Sequence, residues 1–528
     1  MKYNRKNTIG AILILLLLVI SIALFTTIPQ YHKKISIYEQ PLTETGVQAN
    51  PLKGINNQWE VDKNFSTELP IVIIDTGNER PPISMKKEGT EGIFVPIPGV
   101  EPYRAGSLKL INTGKENHIT DNPEVESLIQ IKRRGNSSML YEKAQYLVKL
   151  VSESGQDRYI DFFNMGADHE WILNGSLMDK SMMRNYLALR LTDKIMPYTP
   201  ESIYTEVIYH ENGRYYYEGV HLLMENIRQG EDRVAIEPTK NSDSFPSYIV
   251  RRDRTAEEEN ILDTWATREK LSENYLGLIY PSKKNATQKE IDYVTEDISQ
   301  IEKILYSDDP DVFATYSRYI DVSSFVDYFL VNEFFGSYDA GINSTYMYKD
   351  KGQKLKMGPV WDFDGTMDNY FYEPLEYKVT AFQVKPWFNC LIKDQHFVEL
   401  LKKRYAELRR NVFSDENFLN TIDMIQAHLG SAIDREWSRW GHIYTTKNRL
   451  SLENFGKNDE LVRNAVEYRV EMYRLQTAIL KHGTAIGPYL NILEKDTKID
   501  TGVSYYMPLI LLVAVLGFAL PAFKASRK

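Results

Sequence analysis

An α+β domain of two lobes, β-rich then helix-rich, flanked by two transmembrane helices, is the fold class this sequence predicts. Three observations predict it. Membrane-length apolar runs lie near both ends, strand-patterned segments dominate 64–225, and helical periodicity dominates 226–490. The 528 residues are 43% apolar and 26% charged, ordinary globular usage that excludes wholesale disorder. With 63 Lys and Arg against 72 Asp and Glu, the net charge is −9, and no nucleic-acid partner is expected.

After a short tail (1–7), the first apolar run places a membrane helix over 8–28. It is uncharged and longer than the roughly 20 residues that span hydrocarbon. No small-residue cleavage site follows, so an anchor is expected rather than a removed signal. The second span covers 503–523, with Tyr505 and Tyr506 at its margin and a basic tail, 524–528. Lys2, Arg5, Lys6, Lys524, Arg527 and Lys528 flank the spans. They place both termini in the cytoplasm of a two-pass protein of the cell membrane, with the central region on the other side. The lipid bilayer is thus an expected partner through both terminal helices.

Residues 29–63 read as a polar stalk. The first buried strand is expected at Leu69–Asp75, a long loop over Gly77–Gly106, and further strands at Leu128–Lys132 and Tyr146–Val151. Asn212-Gly213, between Ile203–Tyr209 and Tyr215–Met224, is the strongest hairpin signal. Helical spacing marks Asp179–Ile195, Ile291–Leu305, Val322–Phe335, Phe397–Val412 and Val462–Leu480. One hairpin interrupts the helices, Thr345–Tyr348 with Leu355–Phe363. A single cysteine, Cys390, excludes an intrachain disulfide and a multi-cysteine zinc site; its apolar surroundings read as core.

The densest chemistry lies at Tyr338–Asn343 and Trp361–Asn369. Asp362 and Asp364 at the end of a strand would share one face and repel, which a hard cation such as Mg²⁺ relieves. With Asp339 to orient an attacking hydroxyl and Asn343 as a further ligand, the set suits phosphoryl transfer. A solvated acidic loop is the bland alternative, and the spacing of an EF-hand calcium loop is absent. Arg134-Gly135-Asn136-Ser137-Ser138 reads either as a plain turn or as a loop offering backbone N–H groups and a guanidinium to phosphate. Lys149, inside an apolar strand, points either to solvent or to phosphate.

Taken in order, Arg134–Ser138, Tyr146–Leu150, Trp171–Asn174, Asp179–Asn185, Tyr217–Glu225, Tyr248–Asp253 and Val360–Asp364 resemble the CotH (spore coat protein H) kinase-like family. The resemblance implies an atypical protein-kinase-like fold and transfer of phosphate from ATP, with Mg²⁺ or Mn²⁺, to protein Ser/Thr hydroxyls in envelope or spore-coat assembly. It implies Asp339 as the catalytic residue and Asp362, Asn343 and Asp364 as metal ligands. Arg134, Asn136, Ser137, Lys149 and Glu225 would lie on the nucleotide side. No Glu occurs in Asp179–Ile195, so the helix offers Lys149 no carboxylate partner of the usual kinase kind. Two other readings stand beside this one: a catalytically silent surface, adhesion or assembly protein, since ATP is scarce outside cells, and a glycosidase with paired carboxylates.

Overall fold

Alternating side chains on seven strands fill the inside of a barrel and, on its outer face, meet the helical half. The computed structural model describes residues 50–501 apart from 89–92, 241, 255–258, 272–273, 371–374, 376–379 and 445–466. The barrel strands are β1 (Ile71–Asp75), β2 (Arg104–Ile111), β3 (Val125–Arg133), β4 (Tyr146–Val151), β5 (Glu170–Asn174), β6 (Ser202–Glu211) and β7 (Arg214–Glu225). Their order is β7-β5-β4-β3-β2-β1-β6, and β6 pairs again with β7, so the sheet closes on itself. All pairings are antiparallel except β6 with β1, where Glu206 faces Ile71 and His210 faces Asp75.

The β6–β7 hairpin turns on Asn212 (φ 53°) and Gly213 (φ 75°), the two positive φ values that a two-residue type I′ loop needs. Tyr146, Val148 and Leu150 of β4 and Trp171 and Leu173 of β5 point inward with Ile203, Val207 and Tyr209, so the barrel is a packed core. The period of two sends Leu147 and Ile172 outward into the main core with the helices.

A second, antiparallel sheet lies in the helical half. Its strands are β8 (Tyr248–Asp253), β9 (Asn260–Ile261), β10 (Tyr275–Tyr280), β11 (Thr345–Lys349) and β12 (Lys356–Met357), in the order β9-β10-β8-β11-β12. The helices used below are α1 (Arg184–Thr192), α2 (Gln288–Leu305), α3 (Val322–Phe335), α4 (Gln395–Arg410), α5 (Asp415–Leu429), α6 (Ala432–Tyr444) and α7 (Tyr468–Lys495). Almost every side chain of α3 is buried, as expected of a helix apolar on all sides. Gly336, at φ 66°, ends it in the left-handed conformation, and Ser337 N–H donates to Asn332 O. α6 is fastened to the barrel by buried ion pairs. Arg435 donates to both Glu206 oxygens (2.7 and 2.8 Å), and Lys143 meets Glu436 at 2.5 Å.

The fold class expected from the sequence is therefore corrected. The β-rich half is a closed seven-stranded barrel rather than the open lobe of a bilobal kinase-like domain, and the helical half has a five-stranded sheet of its own. Closure escaped the sequence because it depends on β6 meeting β1, with paired residues such as Glu206 and Ile71 lying 135 positions apart. Nor are flanking transmembrane helices supported. Among the described residues no helix is long and apolar enough to cross a membrane, and the runs at 8–28 and 503–523 lie outside the described residues. The later part of the expected stalk packs on the barrel: Glu60 and Val61 pair with β7, and Val61 is buried. Cys390 is buried as expected, and burial pushes its thiol up to about 11.

Candidate functional site

A crevice of about 760 Å³ runs between the barrel and the second sheet, and most of the residues singled out in the sequence line it. Arg134, Asn136 and Lys149 come from the barrel; Asp339, Asn343, Asp362 and Asp364 come from the helical half.

Asp339 and Asn343 occupy the turn between α3 and β11, where Asn343 N–H donates to Asp339 O at 2.9 Å. Asn343 Nδ2 also donates to Asp339 Oδ1 at 2.5 Å, and its own Oδ1 accepts from Asn274 Nδ2 at 2.6 Å. Arg254 stands 3.5 Å from the other Asp339 oxygen. Asp362 and Asp364 follow β12, which ends at Met357, so the pair sits on a turn and not on the strand expected to reach Phe363. The turn gives Asp362 a positive φ of 67°, a region Asp tolerates better than most residues.

The two carboxyl groups are in contact. Asp362 opens onto the crevice yet is ringed by protein, and this desolvation, with the charges of Asp364 and Asp339, pushes its carboxyl far above the usual range. Desolvation also raises Asp364, although Ser176 Oγ donates to Asp364 Oδ2 at 2.6 Å and opposes the shift. Such a pair stabilises one shared proton or one cation between its oxygens. Among the described residues no three His, Cys, Asp or Glu side chains converge well enough to hold a metal ion by themselves. Two adjoining carboxylates on an open crevice are the kind of oxygen donor set that Mg²⁺ accepts, with water and phosphate completing its shell.

Lys149 faces the crevice. Its strand neighbours Val148 and Leu150 fill the barrel, which leaves Lys149 on the outer face with Leu147. Its partner is Glu170 of β5, directly opposite in the register, with Nζ 3.1 Å from Oε1. Burial alone would lower the Lys149 ammonium; Glu170 overrides it, and the lysine titrates above its ordinary value. A search along the helix missed this pair because the carboxylate lies on the adjacent strand. Arg134 lies 5.2 Å from the ring centre of Trp361, within cation–π range. Gly135, at φ 93°, holds a backbone conformation that side-chain-bearing residues rarely adopt. Asn136 Nδ2 reaches Asp253 at 3.4 Å, and Ser137 begins the short 3₁₀ turn Ser137–Leu140.

Glu225 is not brought into the crevice. At the end of β7 its Oε1 meets Arg233 at 2.5 Å and its Oε2 accepts from Glu201 N–H at 2.9 Å, so it is a buried tie between segments. Glu170 and Arg254 on the crevice wall, and Ser176 behind Asp364, are residues that the sequence reading missed. Each acts across a distance in sequence that no local spacing reveals.

Comparison with known families gives one match: the model described as CotH kinase protein aligns with residues 131–473. That stretch contains every residue discussed in this crevice and most of the chain. A search of curated proteins found no match.

Proposed function

This chain belongs to the CotH kinase family, and we propose that it transfers the γ-phosphate of ATP to Ser or Thr hydroxyls of a protein substrate. The observation that carries this reading is the mutually repelling Asp362–Asp364 pair facing a crevice in which Lys149 is fixed by Glu170. Mg²⁺, when bound, would neutralise charge on the carboxylates and on the phosphate oxygens. Asp362 and Asp364 would hold it, with Asn343 beside them. Asp339, at the crevice wall, accepts the proton of the acceptor hydroxyl. Lys149 presents its ammonium to a phosphate oxygen, with Glu170 limiting its rotamers. Arg134, stacked on Trp361, adds a second cation. Rate would then come from positioning and charge placement rather than covalent chemistry. An envelope or spore-coat setting rests on the family resemblance alone.

A second reading, a catalytically silent assembly protein, is favoured by one feature. Both ends of the Asn343 amide are engaged within the protein, by Asp339 and Asn274. Labelled ATP separates the two readings. Transfer to casein or to the chain itself by wild type, lost in Asp339→Asn, supports the kinase. Folded wild type that neither binds Mg-ATP nor transfers label supports the silent protein.

A further inference from the structure

The turn that carries Asp362 and Asp364 is held from behind by buried polar groups that belong to neither the crevice nor the barrel. Phe363 N–H donates to Asn185 Oδ1 of α1 at 2.7 Å. Arg184, also on α1 and fully buried, donates through Nε to Thr366 O at 2.9 Å and through Nη2 to Met367 O at 3.3 Å. Its Nη1 meets Asp179 and Glu471 of α7, each at 2.7 Å. Arg474, one turn further along α7, bonds Glu471 and reaches Asn369 Oδ1 at 3.2 Å. Asn369 Nδ2 in turn donates to Asp364 O at 2.7 Å. The carbonyl of the acidic residue itself is therefore linked, through Asn369 and Arg474, to a helix near the C-terminal end of the described chain.

Within this turn Asp362, Met367 and Asp368 all have positive φ (67°, 53° and 61°). Non-glycine residues keep such conformations only where their surroundings over-determine them. The groups that hold this turn include Asn185, Arg184, the Phe335 carbonyl, which accepts from Met367 N–H at 2.8 Å, Asn369 and, through Asn369, Arg474.

We infer that α7 is part of the catalytic apparatus: Glu471 and Arg474, acting through Arg184 and Asn369, are positioning residues that set the orientation of the Asp362–Asp364 pair. On the kinase reading above, what they position is the cation-binding pair; how the turn is held does not depend on that reading. Arg184 is too deeply buried for a clean test, because its removal leaves Asp179 and Glu471 unpaired and endangers folding. Arg474 is the better probe. Arg474→Met keeps the stem and removes the donor, and Arg474→Lys keeps a donor able to reach Asn369.

The full chain is titrated with Mn²⁺ and followed by its EPR signal, at a temperature well below each variant's melt. Arg474→Met is expected to bind Mn²⁺ about tenfold more weakly, the usual effect of losing a group that orients a ligand, and Arg474→Lys to recover most of the loss. A merely structural role would lower the melting temperature without moving this affinity. Equal Mn²⁺ affinity in wild type and Arg474→Met overturns the inference. If wild type without nucleotide takes up no Mn²⁺, labelled ATP still decides the kinase reading, and hydrogen exchange decides the positioning role. Faster exchange of the 363–369 amides in Arg474→Met, with β4 unchanged, supports it; identical exchange overturns it.

Discussion

Two groups of charges lie where the barrel meets the helical half, and they are built on opposite principles. Between α6 and the barrel the buried charges Arg435, Lys143, Glu206 and Glu436 are each answered. Arg435 is bidentate to Glu206, Tyr217 donates to the same glutamate, and Glu436 takes both the Lys143 ammonium and the Val220 N–H (2.8 Å). These groups are almost wholly buried. In the crevice, by contrast, like charges crowd together: Asp364 and Asp339 raise the proton affinity of Asp362, and Asp339 raises that of Asp364. Ion pairs that are complete fix geometry; a cluster left short of positive charge stores a demand that a ligand can meet.

The largest effect is expected where a complete pair is broken. Arg435→Ala should cost about 3–5 kcal/mol of stability by leaving Glu206 buried and unanswered, read from the shift of a denaturant midpoint. A loss below about 1 kcal/mol would mean that water or a rearranged neighbour repairs the site, and the contrast would weaken. In the crevice the opposite sign is expected. Asp362→Asn should lower phosphoryl transfer about 10²–10³-fold, comparable to loss of other transition-state charge stabilisers, while the melting temperature holds or rises. A variant that melts earlier would show that Asp362 is structural.

A smaller effect is expected at Lys149. Glu170→Gln keeps the shape but not the charge, and should raise KM for ATP about tenfold, as befits one charge-assisted contact, with a lesser change in kcat. The smallest effect concerns pH. Asp362 keeps its proton to higher pH in the folded chain than in the unfolded one. Between the ordinary carboxylate range near 4 and that raised value, the folded state therefore binds more protons, and stability falls as pH rises. Millimolar Mg²⁺ should cancel this fall in wild type by taking the proton's place. Thermal scans from acid to neutral pH, with and without Mg²⁺, measure it; Asp362→Asn should show neither the fall nor the rescue.

The aspartates were legible in the sequence because their chemistry is local: Asn343 follows Asp339 by four positions, and Asp364 follows Asp362 by two. The β6–β7 hairpin was legible for the same reason, since Asn212-Gly213 writes its own turn type. α3 was placed to the residue, its apolar run ending at Gly336. What the sequence did not show were the individual partners of single side chains. Glu225 belongs to a conspicuous motif, but Arg233 draws it out of the crevice. Lys149 had no partner in the helix Asp179–Ile195, and its carboxylate, Glu170, stands on the adjacent strand. β8 and β10 were submerged in a stretch read as helical, because a central strand buried on both faces has no alternation to announce it.

Closing the barrel also decides how the molecule meets others like itself. A ring of strands has no border, so a stray chain finds no row of vacant amides there on which to seed stacking. The five-stranded sheet does have borders, but each is formed by a strand of only two residues, Asn260–Ile261 and Lys356–Met357. So short a rim offers an incoming strand little to pair with.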